Sequence, residues 1–364
     1  MTARVTLREA ADFLLAHDDY LLLSHRRPDG DTAGSCAALC RALRALGKRA
    51  WVYPNPQFTP RFAPYLEGLV GRPDPRPPHS DAKDGGNGGQ GSGSREQESS
   101  KAFPLRGRGP EGPDEVASRL ATVGFTLLSC DIASRGLFPF GMEDAEVELA
   151  IDHHGTNDGF AARTLVDGGA AACGELLASL IPALGVRLDK PMAEALYVAI
   201  ATDTGCFRYS NVTAATLRAA AACVDAGAEI FPINRVFFEI KRRPRLALEA
   251  WLVEHMEYYA GGRVAVSAIP QTLMDELKLT EDDIDDISGF GRTIEGVQIA
   301  VMLREVEQGM GKASVRTSPE YDAARICRRL GGGGHPAAAG ASLPGGLPAI
   351  REAVLASIAE EIPL

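Results

Sequence analysis

The sequence lacks long hydrophobic runs and closely spaced cysteine pairs. No apolar stretch approaches the roughly 20 residues that span a membrane, and no hydrophobic signal-peptide segment follows residues 1–4. The seven cysteines are scattered and form no C-x-x-C motif. An odd number of cysteines at irregular spacing is typical of reduced thiols rather than of a disulfide framework. We therefore expect a cytoplasmic protein without a membrane partner, whose cysteines mostly pack in the core.

Positive charge and aromatic side chains are also scarce. There are 38 Lys and Arg residues against 48 Asp and Glu residues, which gives a formal net charge of -10, and aromatic residues make up 6% of the chain. Proteins that coat long nucleic acids need basic residues for the phosphates and often a series of stacking aromatics. The composition argues against that class. It does not exclude a small anionic substrate, because bound divalent cations reverse the local charge.

One short stretch has the pattern of a strand, a tight turn and a helix. The apolar run 21–23 is followed by a Pro-Asp-Gly-Asp turn that ends it sharply. His25, Asp29 and Asp31 therefore lie together at the carboxyl end of a strand, where open α/β sheets bind ligands. An imidazole and two carboxylates at this spacing are typical of metal ligands. For this stretch alone, a solvated polar turn is an equal alternative.

The rest of the first 230 residues repeats this arrangement. Strand-like apolar runs alternate with helical patterns, which predicts an α/β fold with a parallel sheet and right-handed crossovers. Asp131 follows the apolar run 125–130, and residues 152–154 (Asp-His-His) follow the run 147–151. With Asp203, they lead us to expect four strand ends that deliver ionisable groups to the same edge of the sheet.

Carboxylates held so close together need positive charge. Unpaired, they would repel one another and raise one another's pKa values, whereas two divalent cations would neutralise four of them formally. Carboxylates mixed with imidazoles, without a thiolate, favour Mn²⁺ over structural zinc, with Mg²⁺, Co²⁺ or Fe²⁺ as alternatives. Two metal ions about 3.5–4 Å apart are a standard device for displacement at phosphorus.

The Asp152-His153-His154 run cannot place all three side chains in one metal cluster. Neighbouring side chains of an extended segment point in opposite directions. We therefore expect one histidine to bind metal and the other to face the substrate. Asp152 is expected to orient one of the two imidazoles from behind.

Composition also divides the chain. From about residue 72 to 112, Gly, Ser and charged residues dominate, and a segment so polar is expected to be a disordered insertion. We expect a first domain over residues 1–230 that contains this insertion. A helical connector over residues 231–259 then leads to a second, smaller α/β domain over residues 260–364.

The sequence resembles the DHH phosphoesterase superfamily, which has four motifs. The residues at the four predicted strand ends match these motifs in order: His25 to Asp31, Asp131, Asp152 to His154, and Thr202 to Gly205. The run of four glycines that ends at Gly334, followed by His335, is similar to the glycine-rich motif of the DHHA1 domain. The resemblance covers nearly the whole chain except the insertion. The chain length is similar to that of the nano-RNase and 3′-phosphoadenosine-5′-phosphate (pAp) phosphatase branch. It implies a parallel-sheet DHH domain joined by a helical connector to a smaller α/β DHHA1 domain.

The resemblance also implies roles for individual residues. A hydroxide between two metal ions would attack phosphorus, and His154 would contact the phosphate or protonate the leaving oxygen. Asp131 and Asp152 are the other residues expected to take part in catalysis. The first ion would be held by His25, Asp29 and Asp131. The second ion would be held by Asp31, Asp131, His153 and Asp203.

The substrate-binding residues implied by the resemblance lie mainly in the second domain. His335 and the amides around Gly333 and Gly334 would bind a terminal phosphate, because consecutive glycines let backbone N–H groups converge on an anion. Arg316 is expected as a phosphate or base contact, with a surface position as its alternative. Arg208, in the first domain, is equally compatible with a phosphate contact and with a surface salt bridge.

The residues and the resemblance together imply a metal-dependent phosphoesterase that hydrolyses short single-stranded oligoribonucleotides to 5′-mononucleotides and dephosphorylates pAp. Three alternatives stay open: a cyclic or linear dinucleotide phosphodiesterase, a single-strand exonuclease, and a non-catalytic nucleotide-binding regulator. The sequence leaves the direction of degradation and the oligomeric state open, with a homodimer among the alternatives.

Overall fold

The structure is a computed structural model that describes residues 2–71, 124–284, 286–306 and 309–364. The insertion expected near residues 72–112 lies outside these residues. The chain divides into two compact units, Met1–Glu239 and Ile240–Leu364. In the part of the chain that the structure describes, no helix is both long and apolar enough to cross a membrane.

The first unit is built around a parallel sheet. Its described strands are β1 (Ala3–Arg4), β2 (Tyr20–Leu23), β3 (Ala50–Val52), β4 (Thr126–Cys130), β5 (Leu149–Asp152) and β6 (Arg163–Val166). They run parallel in the order β1-β6-β5-β4-β2-β3. The predicted α/β class with a parallel sheet is confirmed. The short strands β1 and β6 were not predicted.

Both faces of this sheet are covered. Tyr20 and Leu22 of β2 pack in the larger hydrophobic cluster, whereas Leu21 and Leu23 pack in a second cluster on the other face. Alternate residues of a strand point to opposite faces, so a fully apolar strand is buried on both. Burial on both faces leaves the carboxyl edge of the sheet as the place where polar side chains collect.

Helices follow most of these strands. The described helices of the first unit are α1 (Leu7–Ala16), α2 (Gly30–Ala45), α3 (Ala63–Leu66), α4 (Cys173–Ala183), α5 (Lys190–Asp203), α6 (Ala214–Asp225) and α7 (Ile230–Asn234). A short π-helix follows over Arg235–Glu239. Helix α2 begins two residues earlier than expected, because the Asp29 side chain caps it by accepting hydrogen bonds from the N–H groups of Asp31 and Thr32.

Helices α2 and α5 approach each other closely. A Cβ atom added at Gly34 would lie 2.3 Å from the Ala195 carbonyl oxygen, and one added at Gly30 would lie 2.3 Å from Oγ1 of Thr202. Only glycine fits such contacts without a shift of one helix. This contact joins the start of α2 to the last turn of α5, where Asp203 lies.

The second unit contains a mixed sheet. Its described strands are β7 (Glu257–Tyr259), β8 (Val264–Ile269), β9 (Ile299–Val306), β10 (Met310–Thr317), β11 (Gly333–His335) and β12 (Ala338–Pro344). They are ordered β11-β12-β10-β9-β8-β7, and β8 with β9 is the parallel pair among otherwise antiparallel neighbours. The described helices are α8 (Arg243–His255), α9 (Gln271–Leu277), α10 (Glu281–Ile284), α11 (Ala323–Arg328) and α12 (Leu347–Ala359).

Two parts of this unit differ from what the sequence suggests. Residues 257–259, expected to be helical, form the edge strand β7 against β8. The glycine-rich run, expected as a loop, enters the sheet as β11, where Gly333 pairs with Gly340 and Gly334 with Ala339. Glycine is rare in strands, so only the pairing with β12 makes this run a strand.

Candidate metal centre

The predicted metal ligands of the first unit converge at the carboxyl edge of the parallel sheet. His25 follows β2, Asp131 follows β4 and His153 follows β5, while Asp29 and Asp31 begin α2. One expectation is wrong in detail, because Asp203 is the last residue of helix α5 and does not end a strand. The apolar run before Asp203 is helical over four turns, and its packing on α2 brings Asp203 to the site.

The first group of side chains consists of His25, Asp29 and Asp131, whose ligand atoms lie within 4.8 Å of one another. Nε2 of His25 is 3.4 Å from Oδ2 of Asp29 and 3.7 Å from Oδ2 of Asp131. Asp29 is half-exposed, whereas Asp131 is buried. This group is therefore shielded from solvent at Asp131 and accessible to solvent at Asp29.

The second group consists of Asp31, His153 and Asp203, again with ligand atoms within 4.8 Å. Nε2 of His153 is 3.4 Å from Oδ2 of Asp203 and 3.7 Å from Oδ2 of Asp31. Nδ1 of His153 lies 3.3 Å from the Ala170 carbonyl oxygen. A hydrogen bond from Nδ1 to that carbonyl fixes the tautomer that leaves the Nε2 lone pair for a metal ion.

Asp131 joins the two groups. Its Oδ2 faces His25 of the first group, and its Oδ1 lies 3.4 Å from Nε2 of His153 in the second. Its backbone φ of 62° lies in the left-handed region, which non-glycine residues rarely adopt. Such strain persists only where the surrounding structure requires it, and it is concentrated at functional sites.

Asp31 is held by the start of helix α4. Its Oδ1 accepts hydrogen bonds from Oγ of Ser35 at 3.0 Å and from the Gly174 N–H at 2.9 Å, and its Oδ2 accepts one from the Cys173 N–H at 2.6 Å. The side chain is fully buried. Two backbone amides at a helix N-terminus stabilise a carboxylate, so Asp31 is fixed before any ion binds.

His154 contacts two carboxylates. Its Nδ1 lies 3.5 Å from Oδ1 of Asp131, and Asp131, His153 and His154 form a third group whose ligand atoms lie within 4.8 Å of one another. Nδ1 of His154 also lies 2.8 Å from Oδ1 of Asp152, while Oδ2 of Asp152 accepts a hydrogen bond from Nδ2 of Asn157 at 2.7 Å. The hydrogen bond to Asp152 raises the pKa of His154 above its usual value. His154 is about one-third exposed, and Asp152 is fully buried behind it. The pair orients an imidazole whose Nε2 is left for a ligand.

Burial disfavours the charged form of three carboxyl groups at this site. Burial, followed by repulsion from Asp29, raises the pKa of Asp31 to about 7. Burial, followed by repulsion from Asp31, raises the pKa of Asp203 to about 7. The same causes raise the pKa of Asp131 well above its ordinary range. A bound cation would offset the repulsion among these carboxylates.

The residues present fit divalent metal ions. Among the described residues, no donor makes a hydrogen bond to the buried Oδ1 of Asp131. The ion-pair partners that the described chain gives Asp29, Asp31, Asp131 and Asp203 are imidazoles. Carboxylate oxygens and neutral imidazole nitrogens suit Mn²⁺ and similar ions.

Comparison with known proteins places this arrangement in a family. Residues 20–200 match the DHH family, N-terminal domain, and residues 261–361 match the DHHA1 domain. A protein from Thermus thermophilus named bifunctional oligoribonuclease and PAP phosphatase NrnA is 31% identical over 363 residues, covering 98% of this chain and 94% of that protein. The chain belongs to the DHH family. It is therefore a DHH phosphoesterase with a DHHA1 domain.

One further relative and one solved structure are also similar to this chain. A protein of the same NrnA name from Bacillus subtilis is 24% identical, covering 90% of this chain and 90% of that protein. The crystal structure of an exopolyphosphatase-related protein from Bacteroides fragilis superposes with a TM-score of 0.78, at 20% identity, and covers 97% of this chain and 95% of that one. The latter likeness shows the fold of the DHH and DHHA1 domains.

The DHHA1 domain contains the other residues singled out from the sequence. Arg316 on β10 and His335 on β11 both pair in register with Ala338 of β12. Cross-strand partners share a face, so the two side chains lie on one face, about 10 Å apart across two strand spacings. Gly333 and Gly334 precede His335 on the exposed edge strand, and the φ of 142° at Gly334 requires glycine.

Arg208 of the DHH domain lies five residues after Asp203. Its side chain is exposed, and its Nε donates to the Gly205 carbonyl oxygen. This contact places the residue near the end of α5. Among the described residues, no acidic side chain forms an ion pair with Arg208.

Several supporting residues were not found from the sequence. Ser35 fixes Asp31, Asn157 fixes Asp152, and Nδ2 of Asn55 donates to the His25 carbonyl oxygen at 2.9 Å. The spacing of Ser35, one helical turn after Asp31, was a usable signal. The sequence carries no such signal for Asn157 and Asn55, because their hydrogen-bond partners depend on loop conformation.

Proposed function

We propose that this phosphoesterase hydrolyses short single-stranded oligoribonucleotides to 5′-mononucleotides and removes the 3′-phosphate of pAp. The observation that carries the proposal is the position of Asp131, whose two carboxylate oxygens face His25 on one side and His153 on the other. The activities in the names of the NrnA relatives support the choice of substrates.

Two divalent ions are proposed, with Mn²⁺ preferred and Mg²⁺ or Co²⁺ as alternatives. The first would be held by His25, Asp29 and Asp131, and the second by Asp31, Asp131, His153 and Asp203. When bound, such ions activate water and stabilise the charge that develops on phosphoryl oxygens. The chain supplies the fixed carboxylates and the imidazole nitrogens in a mostly buried setting.

His154 is proposed to act on the substrate. Asp152 accepts the Nδ1 hydrogen, so Nε2 is available to a phosphate oxygen or to the leaving oxygen. The raised pKa of His154 favours an imidazolium that donates a proton to that oxygen. Asn157 and Asp152 keep the ring oriented while it does so.

The DHHA1 domain is proposed to recognise a phosphate of the substrate. His335, Arg316 and the backbone N–H groups of Gly333 and Gly334 are the groups that would bind it. Arginine and backbone amides are suited to phosphate oxygens. Arg208 is proposed as an additional phosphate contact in the DHH domain.

A substrate panel tests this proposal. Labelled RNA of two to about twenty nucleotides, pAp, a cyclic dinucleotide and pyrophosphate are each incubated with Mn²⁺, beside an Asp131→Ala control. Turnover of two-mers and pAp that disappears in the control is expected. Cleavage of only the longest RNA would favour an exonuclease, and preference for the cyclic dinucleotide would favour a cyclic-dinucleotide phosphodiesterase. Nucleotide binding without turnover under Mn²⁺, Mg²⁺ or Co²⁺ would contradict the proposal.

A further inference from the structure

The loop that follows Asp131 carries an exposed aromatic ring. Phe140 is 49% exposed, whereas Phe138, two residues earlier, is fully buried. Phe138 packs edge-to-face on Phe160, with ring centroids 4.9 Å apart. The loop is therefore anchored in the core by one phenylalanine and presents the other to solvent.

The backbone that carries Phe140 is fixed on both sides. Its carbonyl oxygen accepts a hydrogen bond from the hydroxyl of the buried Tyr53 at 3.2 Å. The N–H of Gly141 donates to Glu143 at 2.9 Å. A phenyl ring held in solvent by a fixed backbone is preorganised to bind, because little further conformational freedom is lost when a ligand stacks on it.

Arg26 stacks on this ring. Its Cζ lies 4.3 Å from the Phe140 centroid, and its Nη2 is 3.1 Å from Oε1 of Glu143. Its backbone N–H donates to the Leu137 carbonyl oxygen at 2.6 Å. The guanidinium plane and the ring therefore form one ordered pair in which both members have fixed backbones.

The pair adjoins the metal centre in the chain. Arg26 directly follows His25, and consecutive Cα atoms are about 3.8 Å apart. The loop that carries Phe140 begins after Asp131, another residue of the same centre. The two members of the pair therefore lie on chain segments that follow two residues of the first metal group.

We propose that Phe140 and Arg26 form a stacking subsite for a nucleobase adjoining the scissile phosphate. The inference rests on the proposed function and adds a specificity-determining residue to it. Every nucleobase has a π-face, so aromatic rings and guanidinium planes bind bases with little sequence preference. The subsite lets the enzyme select nucleotides over other phosphoesters without selecting among bases.

The test compares Phe140→Ala and Phe140→Tyr with the wild type. The substrates are an RNA dinucleotide and two analogues, each of which lacks one of the two bases. Phe231→Ala is the matched control, because Phe231 is 68% exposed elsewhere in the first unit. Base–aromatic stacking predicts that Phe140→Ala raises KM for the dinucleotide about tenfold with little change in kcat. Phe140→Tyr and Phe231→Ala are expected to keep the wild-type KM.

The analogues give the decisive comparison. For one of them, Phe140→Ala and the wild type are expected to have the same KM, because the base that stacks is already missing. Equal KM values of wild type and Phe140→Ala on the full dinucleotide would reject the subsite while leaving the proposed function intact. Equal losses on all three substrates would reject stacking as the cause. Failure of the wild type to hydrolyse the dinucleotide would reject the proposed function itself. Melting temperatures confirm that each variant is folded.

Discussion

Nδ1 of His154 lies 2.8 Å from Oδ1 of Asp152, and that carboxylate belongs to none of the three groups of described side chains that could hold a metal ion. The adjacent His153 belongs to the second group. Both imidazoles also approach Oδ1 of Asp131, which lies 3.4 Å from Nε2 of His153 and 3.5 Å from Nδ1 of His154. The hydrogen bond to Asp152 belongs to His154. Because Asp152 lies outside these groups, mutation of Asp152 should act on His154 while leaving the carboxylates of the metal groups in place.

Replacement of Asp152 by Asn should impair catalysis without removing metal. The amide cannot fix the His154 tautomer as the carboxylate does, so kcat should fall about 10- to 100-fold. KM and the bound Mn²⁺ per chain should change little. Steady-state kinetics and metal analysis of the same samples check this. A variant with wild-type kcat, or one that loses its metal, would contradict the assigned role.

Replacement of Ser35 by Ala should weaken metal binding through Asp31. Oδ1 of the buried carboxylate would lose one of its two hydrogen bonds, at a cost of about 1–3 kcal/mol for a buried charged group. We expect the Mn²⁺ affinity to fall by about tenfold, as for other residues that support metal ligands. Calorimetric titration measures this change. An unchanged affinity would show that Asp31 needs only the amides of α4.

Replacement of Gly34 by Ala should separate α2 from α5. The new Cβ would lie 2.3 Å from the Ala195 carbonyl oxygen, and overpacking of this kind costs about 1–3 kcal/mol of unfolding free energy. Because Asp31 and Asp203 lie on these two helices, metal affinity should also fall. Gly289→Ala is the control, since no heavy atom of the described residues lies within 4 Å of its added Cβ. Equal stability of the two variants would contradict this reading of the helix contact.

The metal-free protein should lose stability as the pH rises. The folded pKa values of Asp31 and Asp203, about 7, lie above the ordinary value of 3.8. The folded state therefore binds more protons than the unfolded state between these values. The free energy of unfolding should fall as the pH rises through this window.

Urea unfolding in EDTA at several pH values between 5 and 8 measures this dependence. Asp203→Asn removes one of the titrating groups and should flatten the slope. Mn²⁺ should stabilise the wild type more at pH 8 than at pH 5, because protons compete with the ion for the carboxylates. The account would be contradicted if the free energy of unfolding without metal rose over this range to the same extent in the wild type and in Asp203→Asn.

The sequence was sufficient for the part of the site built from strand ends. Short apolar runs ended by polar residues predicted β2, β4 and β5, and hence the positions of His25, Asp131 and His153. Local pattern decides these elements, since a strand buried on both faces is apolar throughout. The order of the motifs indicated the DHH family, which the comparisons confirm.

Features that depend on distant partners were not predictable in this way. Asp203 reaches the site on a helix, because Gly30 and Gly34 allow α5 to approach α2. The glycine-rich run becomes β11 only through its pairing with β12. Short edge strands such as β1 carry too few residues for a pattern. Asn157 supports Asp152 through a loop conformation that spacing alone does not fix.

The most direct test is to titrate the metal-free enzyme with Mn²⁺ and to measure the bound ions per chain and the hydrolysis of a labelled RNA dinucleotide on the same samples. Because Asp131 faces both groups of ligands, the account predicts that hydrolysis appears only as the second ion binds. Asp131→Ala should bind fewer ions and hydrolyse nothing. Full activity with one ion per chain, or no hydrolysis with two, would contradict the account.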